Sequence, residues 1–177
     1  MRALILTIAL LSPLAAFAAG TSDDSPPQPT ETSTSCKNGQ VWDKTTEACV
    51  DAQESRIDDD TRYEAARELA YAGRYDDALH VLAAMSDQTE SRVLTYFGFA
   101  HRKAGRTELG MRYYQQALDA DPDNLLARSY MGQGLVEAGD VKAARMQLAE
   151  IVARGGASSW PETSLRRAIK SGRTYNY

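Results

Sequence analysis

Residues 91–124 read S-R-V-L-T-Y-F-G-F-A-H-R-K-A-G-R-T-E-L-G-M-R-Y-Y-Q-Q-A-L-D-A-D-P-D-N, a stretch that predicts two helices joined by a short turn. Apolar and small residues recur at helical spacing, in one stripe of Leu94, Phe97, Gly98 and His101 and a second of Tyr113, Tyr114, Ala117 and Leu118. Between the stripes, Gly105 can end the first helix and Thr107 can cap the second. Pro122 cannot continue a helix, so the unit ends there.

The same pattern returns along the chain. Gly98 is matched by Gly132 and Gly105 by Gly139, in both cases 34 positions later. A weaker copy lies upstream, where Gly73 precedes Gly105 by 32 positions. A period of this size is typical of stacked helix–turn–helix units, because each unit buries its apolar face against its neighbours.

The unit resembles the tetratricopeptide repeat. That repeat has small residues at its eighth and twentieth positions, an aromatic residue near its twenty-fourth and a proline at its thirty-second. Counted from Ser91, the corresponding residues here are Gly98, Gly110, Tyr114 and Pro122. The glycines have no bulk to hold two backbones apart, so the paired helices should pack closely. The resemblance implies stacked helix pairs with a groove lined by the first helix of each pair.

We therefore predict an all-α protein: a short tetratricopeptide-repeat solenoid of about three helix pairs with a C-terminal capping helix, preceded by a small disulfide-closed hairpin. Within 58–156, the repeats are expected at 59–90, 91–124 and 125–156. The expected helices span about 61–72, 75–85, 90–103, 107–119, 124–137 and 141–153. Thr61 and Glu64 have the spacing of a capping box, as do Ser159 and Glu162 at the start of the last helix, within 157–177.

The N-terminus has the features of an export signal. A short positive start, an apolar run and the sequence Ala16-Phe17-Ala18 predict a cleavable signal peptide over 1–18. Residues 19–35 contain no large apolar side chain, so we predict a flexible linker there. The expected mature protein is periplasmic or secreted and has no membrane span.

Cys36 and Cys49 are the only cysteines in the chain. Because both follow the export signal, we expect them to pair in an oxidising compartment and to close a hairpin over 36–50. Asn38-Gly39 predicts a tight turn, and Val41-Trp42 a short strand. Trp42 has two interpretations: it packs against the hairpin or first repeat, or it is exposed in a small binding module.

The sequence has little sign of catalysis. The motifs of zinc peptidases, nucleophile elbows and phosphate-binding loops are absent, and no EF-hand calcium loop is present. Of the two histidines, His101 is expected to be a satisfied core residue. We predict a protein that is not an enzyme and that has no cofactor and no metal.

The family resemblance places groove-lining residues on the first helix of each repeat. Their mixture of aromatic and basic side chains suits an extended peptide that carries carboxylates. The predicted partner-binding residues are Tyr63, Arg67, Tyr71, Arg92, Thr95, Phe99, Arg102, Lys103, Ser129 and Gln133, with Val136 and Glu137 beside them. The chain lacks the Asn and Lys of the family's carboxylate clamp, so capture of a chaperone-type C-terminal motif is not implied.

These features predict a non-catalytic scaffold for protein–protein interaction in a bacterial periplasm or cell envelope. Its partner would be an acidic protein or peptide, bound in the groove. With a formal net charge of −4, the chain has no basic excess to favour nucleic acid. The alternative is a carbohydrate or cell-wall binding module that acts through the Cys36–Cys49 hairpin and Trp42.

Overall fold

Helices make up most of residues 26–174, the part of the chain that the computed structural model describes. The predicted signal peptide, the first part of the linker and residues 175–177 lie outside this range. The described elements are α1 (Glu31–Thr34), β1 (Val41–Asp43), β2 (Ala48–Val50), α2 (Asp59–Tyr71), α3 (Tyr75–Ala83), α4 (Ser91–Lys103), α5 (Thr107–Ala120), α6 (Leu125–Glu137), α7 (Val141–Ala153) and α8 (Trp160–Ser171). The predicted mostly helical fold with a disulfide-closed hairpin in front is confirmed.

The six helices α2 to α7 pack as three consecutive pairs, α2–α3, α4–α5 and α6–α7. Each pair is joined at a glycine with positive φ: 79° at Gly73, 83° at Gly105 and 82° at Gly139. In all three turns, the amide after the glycine donates at 2.9 Å to the carbonyl five positions before it. This bond satisfies a free carbonyl at the helix end, which explains why the glycines mark the period of the sequence.

The close packing predicted for the second pair is present. A Cβ on Gly98 would lie 2.5 Å from the ring of Tyr114, and one on Gly110 would lie 2.7 Å from the carbonyl oxygen of Gly98. Tyr114 is completely buried. The bulky ring therefore fills the space that the two glycines leave between α4 and α5.

Helix α8 closes the C-terminal end of the stack by packing on α6 and α7. It begins as predicted, with the Ser159 side chain accepting from the Glu162 amide at 3.4 Å. Gly132 occupies the position equivalent to Gly98, but its missing Cβ leaves room for another helix: a Cβ there would lie 2.6 Å from Cδ2 of Leu165 on α8. The same sequence position thus serves contact within a pair at α4 and contact with the closing helix α8 at α6.

The hairpin precedes the helices. β1 and β2 are antiparallel, with Trp42 opposite Cys49, and the predicted Cys36–Cys49 disulfide is formed. At the predicted tight turn, Asn38 and Gly39 both have positive φ, and the amide of Gln40 donates to the Lys37 carbonyl at 3.0 Å.

The end of the predicted linker is folded onto α2, so the prediction for 19–35 was too long. Glu68, which is buried, accepts from the amide and hydroxyl of Thr30 at 2.6 Å each and from the Ser33 amide at 2.9 Å. Nη1 of Arg74 donates to the carbonyls of Thr32, Ser33 and Cys36. The prediction considered apolar content alone, whereas polar contacts hold this segment.

Three smaller predictions were also wrong. Thr107 does not cap α5: the helix begins at Thr107 itself, after Arg106, and no side chain caps it. Asp58 caps α2 by accepting from the Thr61 amide at 2.7 Å, so Thr61 lies inside the helix rather than at its cap. His101 is partly exposed and not in the core: its ring stacks on Tyr113 at 5.3 Å, and its Nδ1 accepts from Nε of Arg106 at 2.8 Å. Partial burial and the neighbouring guanidinium lower the pKa of His101 below its usual value.

Candidate binding surfaces

The predicted partner-binding residues all lie on α2, α4 and α6, whose side of the molecule we call the first-helix face. Three of them, Tyr71, Arg92 and Lys103, are partly exposed. The other seven are buried: Tyr63, Arg67, Thr95, Phe99, Arg102, Ser129 and Gln133. Most of the predicted groove is therefore occupied by contacts within the chain.

Aromatic rings fill the middle of the first-helix face. Tyr71 of α2 packs on Phe99 of α4 with ring centres 5.5 Å apart, and Phe99 packs on Tyr130 of α6 at 4.9 Å. The hydroxyls of Tyr71 and Tyr130 are hydrogen-bonded, which connects the first helix pair directly to the third. Tyr96 lies among these rings and is fully buried, and burial raises its pKa.

The cations near Tyr63 already have partners. Arg67 donates from Nε to the Tyr96 hydroxyl at 3.2 Å and from Nη1 to Glu64 at 2.9 Å. Arg92 lies over the Tyr63 ring, 4.6 Å from its centre, and pairs with Asp60 at 2.8 Å. A partner's carboxylate would have to compete with these ion pairs.

The polar residues predicted on α6 hold α8 in place. The Ser129 hydroxyl donates to the Pro161 carbonyl at 2.8 Å, and Nε2 of Gln133 donates to the Ser164 hydroxyl at 3.1 Å. Thr95 is likewise occupied, because its hydroxyl donates to the Ser91 carbonyl at 2.7 Å. These three side chains make hydrogen bonds within the stack and do not face an open groove.

One cluster on the first-helix face keeps an excess of positive charge. Arg102 is buried; its Nη1 pairs with Glu137 at 2.7 Å and its Nε donates to the Tyr114 hydroxyl at 3.3 Å. Its Nη2 has no hydrogen-bond partner among the described residues. Lys103 is partly exposed, and no carboxylate of residues 26–174 lies within ion-pair distance of it. We call Arg102, Lys103 and Glu137 the cation cluster.

The pKa shifts follow from this arrangement. Burial, followed by the neighbouring Arg102 charge, lowers the pKa of Lys103 below its usual value, and Glu137 acts in the opposite direction. Burial acts to raise the pKa of Glu137, but the charge and hydrogen bond of Arg102, together with the Thr174 hydroxyl and the Lys103 charge, outweigh it, so the pKa lies below its usual value. Two cations therefore share one carboxylate, which stays ionised at neutral pH.

A second surface lies between the hairpin and α2. It is a cleft of about 450 Å³, which we call the hairpin cleft. The residues that line it are Thr30, Thr32, Val41, Trp42, Asp43, Lys44, Thr45, Arg56, Ile57, Asp58, Asp60, Thr61, Glu64, Ala65 and Glu68. Trp42 is half-buried, so it forms part of a cleft instead of being wholly packed or wholly exposed.

No group of three or more His, Cys, Asp or Glu side chains among residues 26–174 is arranged to hold a metal ion. Within the same range, no helix is both long enough and apolar enough to cross a membrane.

Sequence reasoning missed two residues that matter on the first-helix face, Tyr96 and Tyr130. Both directly follow predicted groove positions, Thr95 and Ser129, and they are 34 positions apart. Their shared place in the period was a usable signal, because a large residue that recurs at one position tends to pack against its own copy in the next unit.

No family model, curated protein or solved structure matches the chain.

Proposed function

We propose that this protein is a non-catalytic interaction module of a bacterial periplasm or cell envelope, with helix pairs of the tetratricopeptide type, and that it binds a partner protein through the cation cluster. The glycine period and Pro122 support the repeat type, as does the close approach of Gly98 and Gly110. The signal-like N-terminus and the disulfide support an exported location.

The observation that carries the proposal is the charge imbalance at Arg102, Lys103 and Glu137. A partly buried lysine next to a buried guanidinium, with one carboxylate between them, leaves about one positive charge uncompensated. A carboxylate on a partner would pair with Lys103 in surroundings where water screens the attraction only partly. We therefore expect the partner to contribute an Asp or Glu side chain, or its C-terminal carboxylate.

The rest of the first-helix face determines how the partner lies. Because the rings of Tyr71, Phe99 and Tyr130 fill its middle, the partner lies across the face and does not enter a deep groove. Tyr71 is the partly exposed ring of this set, and it can contact apolar groups next to the partner's carboxylate.

The test compares two charge reversals on a partner isolated by affinity capture from envelope extract. Lys103→Glu should weaken binding at least about ten-fold, as expected for the loss of a charge-assisted hydrogen bond. Lys142→Glu is the matched control, because Lys142 is exposed on α7 and makes the same change in net charge. Binding of the wild type should also weaken as salt rises.

Circular dichroism should find the same helical content in both variants. If Lys103→Glu binds the partner as tightly as the wild type does, the cation cluster is not the site. If both reversals weaken binding equally, the attraction depends on net charge alone and the proposal is wrong.

A further inference from the structure

The charges of the chain are unevenly distributed along the helical stack. Residues 26–90, which form the hairpin, the segment before it and the first helix pair, carry 14 Asp and Glu against six Lys and Arg. Residues 125–174, which form the third pair and α8, carry four Asp and Glu against eight Lys and Arg. The first region therefore has a formal charge of −8 and the last one of +4. We call them the acidic end and the basic end.

The outer face of α8 carries cations that have no partner within the chain. Leu165 is buried, whereas Arg167 and Lys170, one helical turn apart, are exposed, as is Arg173 just after the helix. No carboxylate of residues 26–174 lies within ion-pair distance of these three cations. Because α8 is the helix that closes the stack, they lie together on the outside of the basic end.

The hairpin cleft is the concave part of the acidic end. Its lining includes five carboxylates and two cations. The carboxylates are those of Asp43, Asp58, Asp60, Glu64 and Glu68, and the cations are those of Lys44 and Arg56. The lining therefore has an excess of negative charge, opposite in sign to that on the outer face of α8.

Three of these carboxylates are open to a partner. Asp58 is exposed, and no cation of the described residues lies within ion-pair distance of it. The side chains of Asp60 and Glu64 are 81% and 55% exposed, although they pair with Arg92 and Arg67. A carboxylate has about four lone-pair sites, so a further cation can bind to Asp60 or Glu64 without displacing either arginine.

We propose that the protein binds a second copy of itself head to tail, with the cations on the outer face of α8 in one copy docked on the hairpin cleft of the next. The two complementary charges lie at opposite ends of one chain, so each copy can use both ends at once, whereas like ends repel each other. Such an interface joins two different surfaces and continues into a chain of copies unless the rotation between copies closes a ring.

This inference goes beyond the proposed function, because neither surface includes Arg102, Lys103 or Glu137. Self-association and partner binding can therefore fail independently of each other. Because exposed charges dominate the contact, we expect it to be weak, with a Kd of about 1–100 μM at low salt.

Sedimentation velocity of the purified protein tests the proposal. Between about 1 and 500 μM in about 20 mM salt, the mean mass should rise with concentration and exceed that of a dimer. In about 0.5 M salt the protein should be monomeric, because attraction between exposed charges is then screened within a few ångströms.

Two variants each remove three charges from one end. The acidic-end variant combines Asp58→Asn, Asp60→Asn and Glu64→Gln. Asparagine caps helices about as well as aspartate does, so α2 keeps its start. Self-association of this variant should weaken at least about ten-fold, as expected for the loss of several exposed ion pairs.

The basic-end variant combines Arg167→Gln, Lys170→Gln and Arg173→Gln, and it should lose as much affinity for itself. Mixed in equal amounts, the two variants should associate again. The intact acidic end of one then binds the intact basic end of the other, and the altered ends stay free. The mixture should therefore form a dimer and stop there, which an effect of net charge alone would not produce.

The matched control combines Glu108→Gln, Asp119→Asn and Asp121→Asn. These carboxylates are exposed in the middle of the stack, and the change in net charge equals that of the acidic-end variant. The control should associate as the wild type does, and so should Lys103→Glu. Circular dichroism should find the same helical content in all variants.

The proposal is overturned if the wild type stays monomeric up to about 500 μM at low salt. It is also overturned if the mixture of the two variants associates no better than either variant alone. A monomeric wild type that binds vesicles of phosphatidylglycerol, with binding lost in the basic-end variant, would assign the basic end to an anionic membrane surface instead.

Discussion

The two ends of the helical stack are covered in different ways. At the N-terminal end, a segment with little regular structure lies on α2 and α3 and is held by the disulfide, by the Glu68 carboxylate and by Arg74. At the C-terminal end, α8 lies on α6 and α7, with Leu165 packed against Gly132. Each cover buries an apolar helix surface that would otherwise face water.

The difference shows that the apolar surface at the end of a stack can be covered either through directional bonds or through complementary side-chain shape. The N-terminal cover depends on a covalent link and on ionised groups, so it should respond to reduction and to acid. The C-terminal cover depends on a fit between a glycine and a leucine, so it should respond to side-chain volume. Four predictions test this contrast, from the largest expected effect to the smallest.

Removal of the disulfide should have the largest effect, and it should be confined to the N-terminal end. The cysteines are 13 residues apart, and opening a loop of this length by Cys36→Ser with Cys49→Ser should cost about 3 kcal/mol of the free energy of unfolding. Urea unfolding measures the loss, and hydrogen exchange should locate it in residues 30–57 and α2. Reductant should destabilise the wild type but not the double variant. If α8 loses as much protection from hydrogen exchange as the N-terminal end does, the two ends do not differ in this way.

Gly132→Leu should destabilise the other end by about 1–3 kcal/mol, because the new side chain would overlap Leu165 and push α8 away. Ala149→Leu is the matched control: Ala149 is exposed on α7, so the change should stay within about 0.5 kcal/mol. Thermal unfolding and hydrogen exchange of α8 are the measurements. An unchanged melting temperature for Gly132→Leu would mean that α8 is misplaced.

Glu68→Gln should cost about 1–2 kcal/mol. The amide has one acceptor oxygen instead of two and turns an N–H group towards donors of Thr30 and Ser33, so at least one hydrogen bond to a charged group is lost. Glu108→Gln, on the surface of α5, is the control. Hydrogen exchange should accelerate in the segment before the hairpin. If Glu68→Gln is as stable as the wild type, Glu68 does not hold this segment on α2.

Acid should loosen the N-terminal end first. The Thr46 hydroxyl, followed by the Thr45 amide, lowers the pKa of Asp43, and the Ser86 hydroxyl lowers that of Asp59. A carboxyl whose pKa is lower in the folded than in the unfolded state stabilises the fold above its ordinary pKa of about 4. That stabilisation is lost as pH falls through the lower, folded pKa.

Single-tryptophan variants can follow the two ends separately. Trp42 reports on the hairpin and Trp160 on the start of α8, so Trp160→Phe and Trp42→Phe each leave one reporter. As pH falls below about 4, the Trp42 signal should change before the Trp160 signal. A simultaneous change, or an earlier change at Trp160, would show that the ends do not differ in this respect.

The helices could be predicted because their signals are local. Gly73, Gly105 and Gly139 end helices through bonds within a few residues, and the stripes between them fix the period. The cover on α2 could not be predicted in this way. It depends on Glu68 and Thr30, which are 38 positions apart and carry no pattern that marks them as partners.

The candidate site was predicted less well for a related reason. The resemblance to the repeat family placed Arg102 and Lys103 on the first-helix face, but it could not show which neighbouring side chains would already bind Arg102. Ser129 was placed on the same face, yet its bonds to Pro161 and Ser164 depend on where α8 lies. Burial and pairing are properties of the assembled stack.

The bond between Tyr71 and Tyr130 has a consequence for how the stack comes apart. In a linear array, each unit contacts only its neighbours, and stability is close to a sum of local terms, so such an array can fray from one end. Here, the first and third helix pairs touch directly, across Phe99 of the second. Release of α2 therefore also removes a contact from α6. This second-neighbour coupling makes a stack from which α2 has been released less favourable than it would be in a strictly linear array.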